Sequence, residues 1–495
     1  MMNESRLRFL LVAGILAVSA VLAALYHFRI DLTESRSYTV SPYTVEVLSE
    51  LDSPMNVTWY LSTGLSGLSP AVRYIGNFLE EYRASSGGRF SYTISDPLLP
   101  GNSPSVSALG LVPRQVELET RNGRNIQDLY SGLLVEYRGL SKTIPFLIDT
   151  DRLEYDLTRT ASELLRESGP VGKPKTMQLV YGKKPEADEY GYVAPWLTYA
   201  GFNVLTIRFP EKSLDPSECL LVIGSSDLSP NDVVSIRNFL DQGGRAAFFV
   251  SGNTVKTGSD WTVTPKTDDP LLDLLSSRGF TITTDLLLDV VNFRLTMPAL
   301  DNSRYENINY PFWITVPVTA DDQKHPLLSG ISSLQFFWPS EILVGGPEPE
   351  SIGIAVASTP QARRLESPCD TNPFGKQLSV FSGDRKGSRG ILAAETASPA
   401  RTVVVADEYL PGSMIEYTAS ESNLDFLVNC AEWISGDDQL LGLKKPSANG
   451  IAGTDEATGA IIFPSGVSKV LNLAVIPVFV LLAGLVLARK RYSRT

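Results

Sequence analysis

Two stretches interrupt the ordinary mixture of apolar and polar positions. Residues 9–28, between Arg8 and Arg29, and residues 470–488, between Lys469 and Arg489, carry no formal charge. Each is about the length that crosses a ~30 Å hydrocarbon core as a helix rising ~1.5 Å per residue. A backbone in lipid must satisfy its own hydrogen bonds, so both are expected to be transmembrane helices, the second kinked at Pro477. Small residues near the end of the first, Ala20, Ala23 and Ala24, raise a cleaved signal peptide as the alternative. The apolar run is longer than the ~7–15 residues of a signal core, which favours an uncleaved anchor. Arg6 and Arg8 precede the first stretch, and Arg489, Lys490, Arg491 and Arg494 follow the second. This pattern places the tails 1–8 and 489–495 in the cytoplasm and the region between outside, as in a two-pass membrane protein.

Between these stretches the periodicity switches between helix and strand. Residues 41–51 read as a short helix, with Ser41 as N-cap, Pro42 at the first position and a Val45, Leu48, Leu51 stripe. "MNVTWYLS", "SPAVRYIGNFLEEYRASSGG" and "RFSYTISDP" follow as strand, helix and strand, a β-α-β run typical of a small α/β domain. "QVELETRNGRNIQ" has turn chemistry at Asn122–Gly123, and two further strands flank Arg138–Gly139. An amphipathic helix in "YDLTRTASELLRES" closes this unit, expected to span residues 31–168.

From residue 175 the alternation is more regular. "TMQLVYG", "NVLTIRF", "CLLVIGSSD", "RAAFFVSG" and "RTVVVADEYL" are apolar strands separated by helices, among them "SPNDVVSIRNFLDQGG" and "NLDFLVNCAEWISG". Continuous apolar strands of this kind indicate a parallel sheet covered on both faces. The expected fold class is therefore α/β, with a second domain over 175–436, less regular from about 281 to 400, and a linker over 437–468.

Composition removes several function classes. The chain carries 43 basic against 55 acidic residues, a net charge of −12, which leaves no electrostatic footprint for nucleic acid. Cys219, Cys369 and Cys430 are odd in number and far apart, so neither a disulfide framework nor a zinc site is expected. The two histidines are His27, inside the first apolar stretch, and His325, in a polar loop. No nucleophile elbow G-x-S-x-G and no phosphate loop G-x-x-x-x-G-K-[ST] occurs, so no cofactor or ATPase site is expected. The acidic residues Asp268, Asp269, Asp321, Asp322, Asp437 and Asp438 read as solvated loop charges.

Ligands of open α/β sheets bind outside the carboxyl ends of the strands. Gly182 after "TMQLVY", Gly224, Ser225 and Asp227 after "CLLVI", and Asp407 after "TVVVA" are thus the candidate ligand-binding positions; no catalytic or metal residues are assigned. Turns and helix caps are the competing use of such residues.

The order of several segments resembles a known family. These are "DLTESRSYTVSPYTVEVLSELDSPMNVTWYLS", "SDP" at 95–97, "YSGLLVEY" at 130–137 and "LEYDLTRTASELL" at 153–165. "LVIGSSDLSPNDVVSIRNFLDQGGRAAFF", "YPFW" at 310–313 and "SNLDFLVNCAEWISGDD" follow. Together they are similar to the auxiliary, substrate-binding-like family of ABC-type transport systems associated with gliding motility. The resemblance implies a non-catalytic, membrane-anchored partner of an ABC-2 type permease and its cytoplasmic ATPase, in contact with membrane lipid. It also implies a class I glutamine-amidotransferase-like fold for the second domain. An envelope polymer is a further partner on this reading. Where members often carry a Gly-His-Gly-Glu-like turn, this chain has "YGKKPEADEY". The alternatives are a glycan hydrolase or transferase of the envelope working through carboxylates, or a structural polymer-binding protein.

Overall fold

The computed structural model describes residues 39–444, apart from 64–69, 100–105, 107, 121–122, 148–149, 170–172, 184–188, 257–260, 300–303, 346–350 and 376–386. Both apolar stretches and most of the expected linker lie outside these residues. Among the described residues, no helix is long and apolar enough to cross a membrane.

Helix α1 (Pro42–Ser49) begins as its sequence dictates. The Ser41 side chain accepts from the Thr44 N–H, and Pro42 occupies the first turn. Its buried face differs from the expected stripe: Thr44, Val47, Leu48 and Leu51 are buried, while Val45 is 41% exposed. The reason is a polar partner for Thr44, whose hydroxyl bonds Glu154 Oε1 at 2.9 Å and Thr158 Oγ1 at 2.9 Å and so turns that side of the helix inward.

Strand β1 (Met55–Leu61) turns Met55, Val57, Trp59 and Leu61 inward by simple alternation. Helix α2 (Pro70–Ser85) returns the chain to β2 (Phe90–Ser95), which pairs parallel to β1. The two-stranded sheet of β3 (Arg114–Thr120) and β4 (Gly123–Leu129) follows, with Thr120 opposite Gly123. Then β5 (Ser131–Tyr137) and β6 (Leu140–Ile144) complete a sheet of order β2-β1-β5-β6. Helix α3 (Leu153–Ser168) packs Leu153, Leu157, Ala161 and Leu164 into this first core.

The second sheet has nine strands in mixed directions. Its parallel part comprises β7 (Lys175–Tyr181), β8 (Phe202–Thr206), β9 (Cys219–Ile223), β10 (Arg245–Phe249) and β15 (Thr402–Val405), ordered β8-β7-β9-β10-β15. Numbered along the chain this is the doubly wound order 2-1-3-4-5. The strands alternate between two buried faces: Cys219, Leu221 and Ile223 point into one core, Leu220 and Val222 into the other. Helices α4 (Val193–Tyr199) and α8 (Ser422–Ser435) cover the first face; α5 (Pro230–Asp241) and α6 (Pro270–Ser277) cover the second. Cys219 and Cys430 are buried, as small apolar groups would be.

The less regular stretch adds antiparallel strands β11 (Phe280–Ile282), β12 (Ile342–Val344), β13 (Ile352–Ala357) and β14 (Ile391–Thr396) beyond β15. It also builds small sheets around an aromatic cluster in which Trp338 meets Trp313, Tyr310 and Tyr409 edge-on, at 5.3, 6.5 and 5.7 Å between centroids. The described chain carries nine α-helices, ending with α7 (Ile415–Thr418), α8 and α9 (Asp438–Leu441).

Helix α3 also joins the two sheets' domains. Its second face is charged yet buried: Glu154, Asp156, Arg159 and Glu163 are all at most 6% exposed. Arg152 reaches Asp425 at 2.8 Å, Arg159 reaches the Tyr199 carbonyl at 2.6 Å, and Tyr155 donates to Glu432. Gly201 makes this close approach possible, because a Cβ there would lie 1.9 Å from Glu163 Oε1. Both ends of the described chain meet at this helix. Tyr43 of α1 packs against the cluster of Tyr155, Leu440 and Leu443, while Lys444 bonds Glu432 at 2.8 Å and lies 4.3 Å from the Tyr155 ring centroid.

Candidate functional site

Parallel register brings the ends of four neighbouring strands into line: Tyr181 opposite Ile223, Ile223 opposite Phe249, and Phe249 opposite Val405. All five candidate positions therefore lie along one edge of the second sheet. They do not share one environment.

Gly182 and Gly224 stand at the switch point of the strand order, between β7 and β9, and close it with backbone. Gly182 N–H donates to Ile223 O at 2.8 Å, and Asp227 N–H donates to Gly182 O at 2.8 Å. A Cβ on Gly182 would meet the Gly224 carbonyl oxygen at 2.3 Å, and Gly224 itself has φ +76°. Asp227 is exposed beyond this contact. Asp407 is fully buried and turns inward: its carboxylate accepts from Phe337 N at 2.6 Å, Tyr409 N at 2.7 Å and Leu410 N at 3.1 Å. Burial pushes this carboxyl up to about 8, against the pull of those three donors.

Ser225 belongs to a different group, built around Lys266. The ammonium of Lys266 donates to Glu408 Oε2 at 2.6 Å and to Ser225 Oγ at 3.2 Å; the two charged side chains are 5% and 1% exposed. Ser225 Oγ donates to Asp269 Oδ2 at 2.5 Å, while Asp269 Oδ1 caps α6 through Leu271 N and Leu272 N. Asp269 is thus a buried cap and not the solvated loop charge expected. Glu408 is fixed further by its N–H to Ser251 Oγ at 2.9 Å and by its carbonyl, which accepts from Tyr190 OH at 3.1 Å. Its second carboxylate oxygen, Oε1, has no hydrogen-bond partner, and neither amide atom of the fully buried Asn253 has one. Nearby, Lys183 pairs with Glu189 at 2.8 Å and lies 4.6 Å from the Tyr409 ring centroid.

Lys266, Ser251 and Asn253 escape the sequence reading. Lys266 falls in "TPKTDDP", which reads as a polar loop. Ser251 follows the apolar strand "RAAFFV" just as Ser225 follows "CLLVI", and that rule applied to β10 would have found it. The Ser225 hydroxyl donates to the Asp269 carboxylate, and the nearby Lys266 amine is ion-paired with Glu408. His325 stands apart: its Nδ1 accepts from Leu327 N at 3.3 Å and its Nε2 lies 3.8 Å from Glu395. Among the described residues no group of three or more His, Cys, Asp or Glu is placed to hold a metal ion.

Residues 173–430, more than half of the chain, match the family described as an ABC-type uncharacterized transport system. The chain belongs to this family of auxiliary components of ABC transport systems. Residues 34–136 match a domain family of unknown function, DUF7088. An uncharacterized protein of Borreliella burgdorferi is 21% identical over 487 residues, covering 94% of each chain. The match to the ABC transport family begins just before β7 and ends within α8, so the whole strand-end group lies inside it.

Proposed function

We propose that this protein is a non-catalytic subunit held at the outer face of a bacterial cytoplasmic membrane. There it docks on an ABC-2 type permease served by a cytoplasmic ATPase, and presents a ligand or envelope polymer to it. The observation that carries this reading is the meeting of both chain ends on α3, where Tyr43, Tyr155, Leu440, Leu443 and Lys444 come together. A body rooted at a single place suits anchoring by the flanking apolar segments 9–28 and 470–488. Its strand-end edge then remains available on the large second domain. The doubly wound 2-1-3-4-5 order supports the amidotransferase-like assignment of that domain, and the match to the ABC transport auxiliary family supports a non-catalytic role.

Co-purification from native membranes in mild detergent tests the docking. A polytopic permease and an ATPase should accompany the full-length chain at native expression, and the reading fails if neither does. Placing a reporter on each terminus tests the topology, which requires both to be cytoplasmic.

A further inference from the structure

We propose that the buried group around Glu408 and Asn253 is a binding site for a small neutral molecule bearing hydroxyl or amide groups. This deepens the ligand-presenting part of the function above and rests on it.

Every polar atom of Glu408 is occupied except one. Oε2 is held by Lys266, the N–H by Ser251 and the carbonyl by Tyr190, leaving Oε1 with no donor although the residue is fully buried. A buried polar atom without a partner pays its desolvation with nothing in return, and native proteins keep few of them. Asn253 adds two more, an oxygen and a two-hydrogen nitrogen. The two residues belong to one patch. Ser251 on one side of Asn253 holds the Glu408 N–H, Gly252 O accepts from Lys266 N at 2.8 Å, and Val255 N donates to Tyr409 OH at 3.2 Å. The segment 251–255 thus runs along Glu408–Tyr409.

The unfilled valences define the ligand. Glu408 Oε1 needs a hydrogen; Asn253 needs both a hydrogen and a lone pair. Phosphate or carboxylate groups bring no hydrogen to Glu408. An ammonium group would compete with Lys266, which already neutralises that carboxylate at 2.6 Å. Hydroxyl and amide groups supply donor and acceptor together without charge. Lys183, paired with Glu189, lies 4.6 Å from the ring centroid of Tyr409, the residue next to Glu408, and these two side chains are 18% and 15% exposed.

Calorimetric titration of the full-length chain in mild detergent tests this. The probes are glucose, myo-inositol and N-acetylglucosamine, set against glucose 6-phosphate and glucosamine as charged counterparts. At least one neutral probe should bind, at least tenfold more tightly than the charged ones. Asn253→Leu removes the unpaired amide at similar volume, so it should raise the Tm while weakening the neutral probe at least tenfold. Glu408→Gln, assayed in parallel, should weaken it equally. The proposal is overturned if no neutral probe binds, if a charged probe binds better, or if both variants bind as the wild type does. It is also overturned if Asn253→Leu lowers the Tm, which would mean that internal water already satisfies the amide. Loss of docking with binding retained would sink the permease reading alone. Docking retained without binding would sink this proposal alone.

Discussion

Tyr155 donates its phenolic hydrogen to Glu432, a bond from the helix that closes the first core to the helix that covers the second sheet. Burial and the neighbouring Glu432 carboxylate hold the Tyr155 hydroxyl well above its ordinary pKa, so it stays a donor. Lys444 completes the group at 2.8 Å from Glu432 Oε2, itself 5% exposed.

Removing one member should therefore cost more than removing a surface ion pair. Glu432→Ala leaves Lys444 buried without its carboxylate and should destabilise the fold by about 3–5 kcal/mol. Tyr155→Phe deletes one donor and should cost about 1–3 kcal/mol. Urea unfolding at neutral pH measures both; equal, small losses would show that the junction is not held this way.

Helix α1 offers a contrast between neighbouring valines. Val45→Asp lies on the exposed side and should change stability by no more than about 0.5 kcal/mol. Val47→Asp puts a charge among Leu48, Leu51 and Trp59 in the first core and should prevent stable folding. Thermal melts of the two variants decide between the observed face and the stripe that spacing alone suggests.

Gly182→Ala should be costly although it adds a single methyl group. The new Cβ would sit 2.3 Å from Gly224 O, so backbone must move at the switch point. A loss of at least about 1–3 kcal/mol is expected, as for overpacking elsewhere. An unchanged Tm would mean that the β7 and β9 ends are not in contact.

Asp407 gives the fold a pH dependence of definite sign. Its carboxyl is raised from 3.8 to about 8 in the folded chain, so between these values the folded state binds more protons than the unfolded one. Its contribution to stability is full below about pH 4 and is lost as pH rises through about 8. Asp407→Asn has no proton to lose there. Denaturation midpoints measured from pH 5 to 9 should fall more steeply for the wild type than for the variant, and parallel profiles would refute the assignment.

The central parallel strands were legible because runs such as Cys219–Ile223 are continuously apolar, and two helix starts because Ser41–Pro42 and Ser229–Pro230 are caps the chain spells out locally. The face of α1 was not, because Thr44 is buried for the sake of Glu154 and Thr158, more than a hundred residues away. The strand-end rule groups Gly182, Gly224, Ser225, Asp227 and Asp407, and the strand register sets them along one edge. It did not separate a backbone seal at Gly182 and Gly224 from a polar group at Ser225. Lys266 was hidden for a similar reason: its partners Ser225 and Glu408 stand 41 and 142 residues away, and no local pattern marks such a pairing. The charged face of α3 carried the same ambiguity, since a solvated face and an interface between domains have one periodicity.

Because Tyr43 packs against the cluster of Tyr155, Leu440 and Leu443, the start and finish of the described chain are neighbours in space. A chain of that kind is open to circular permutation: a short peptide could join residues 39 and 444, with new termini cut at Arg138–Gly139 between β5 and β6, giving a version of the body free of both flanks.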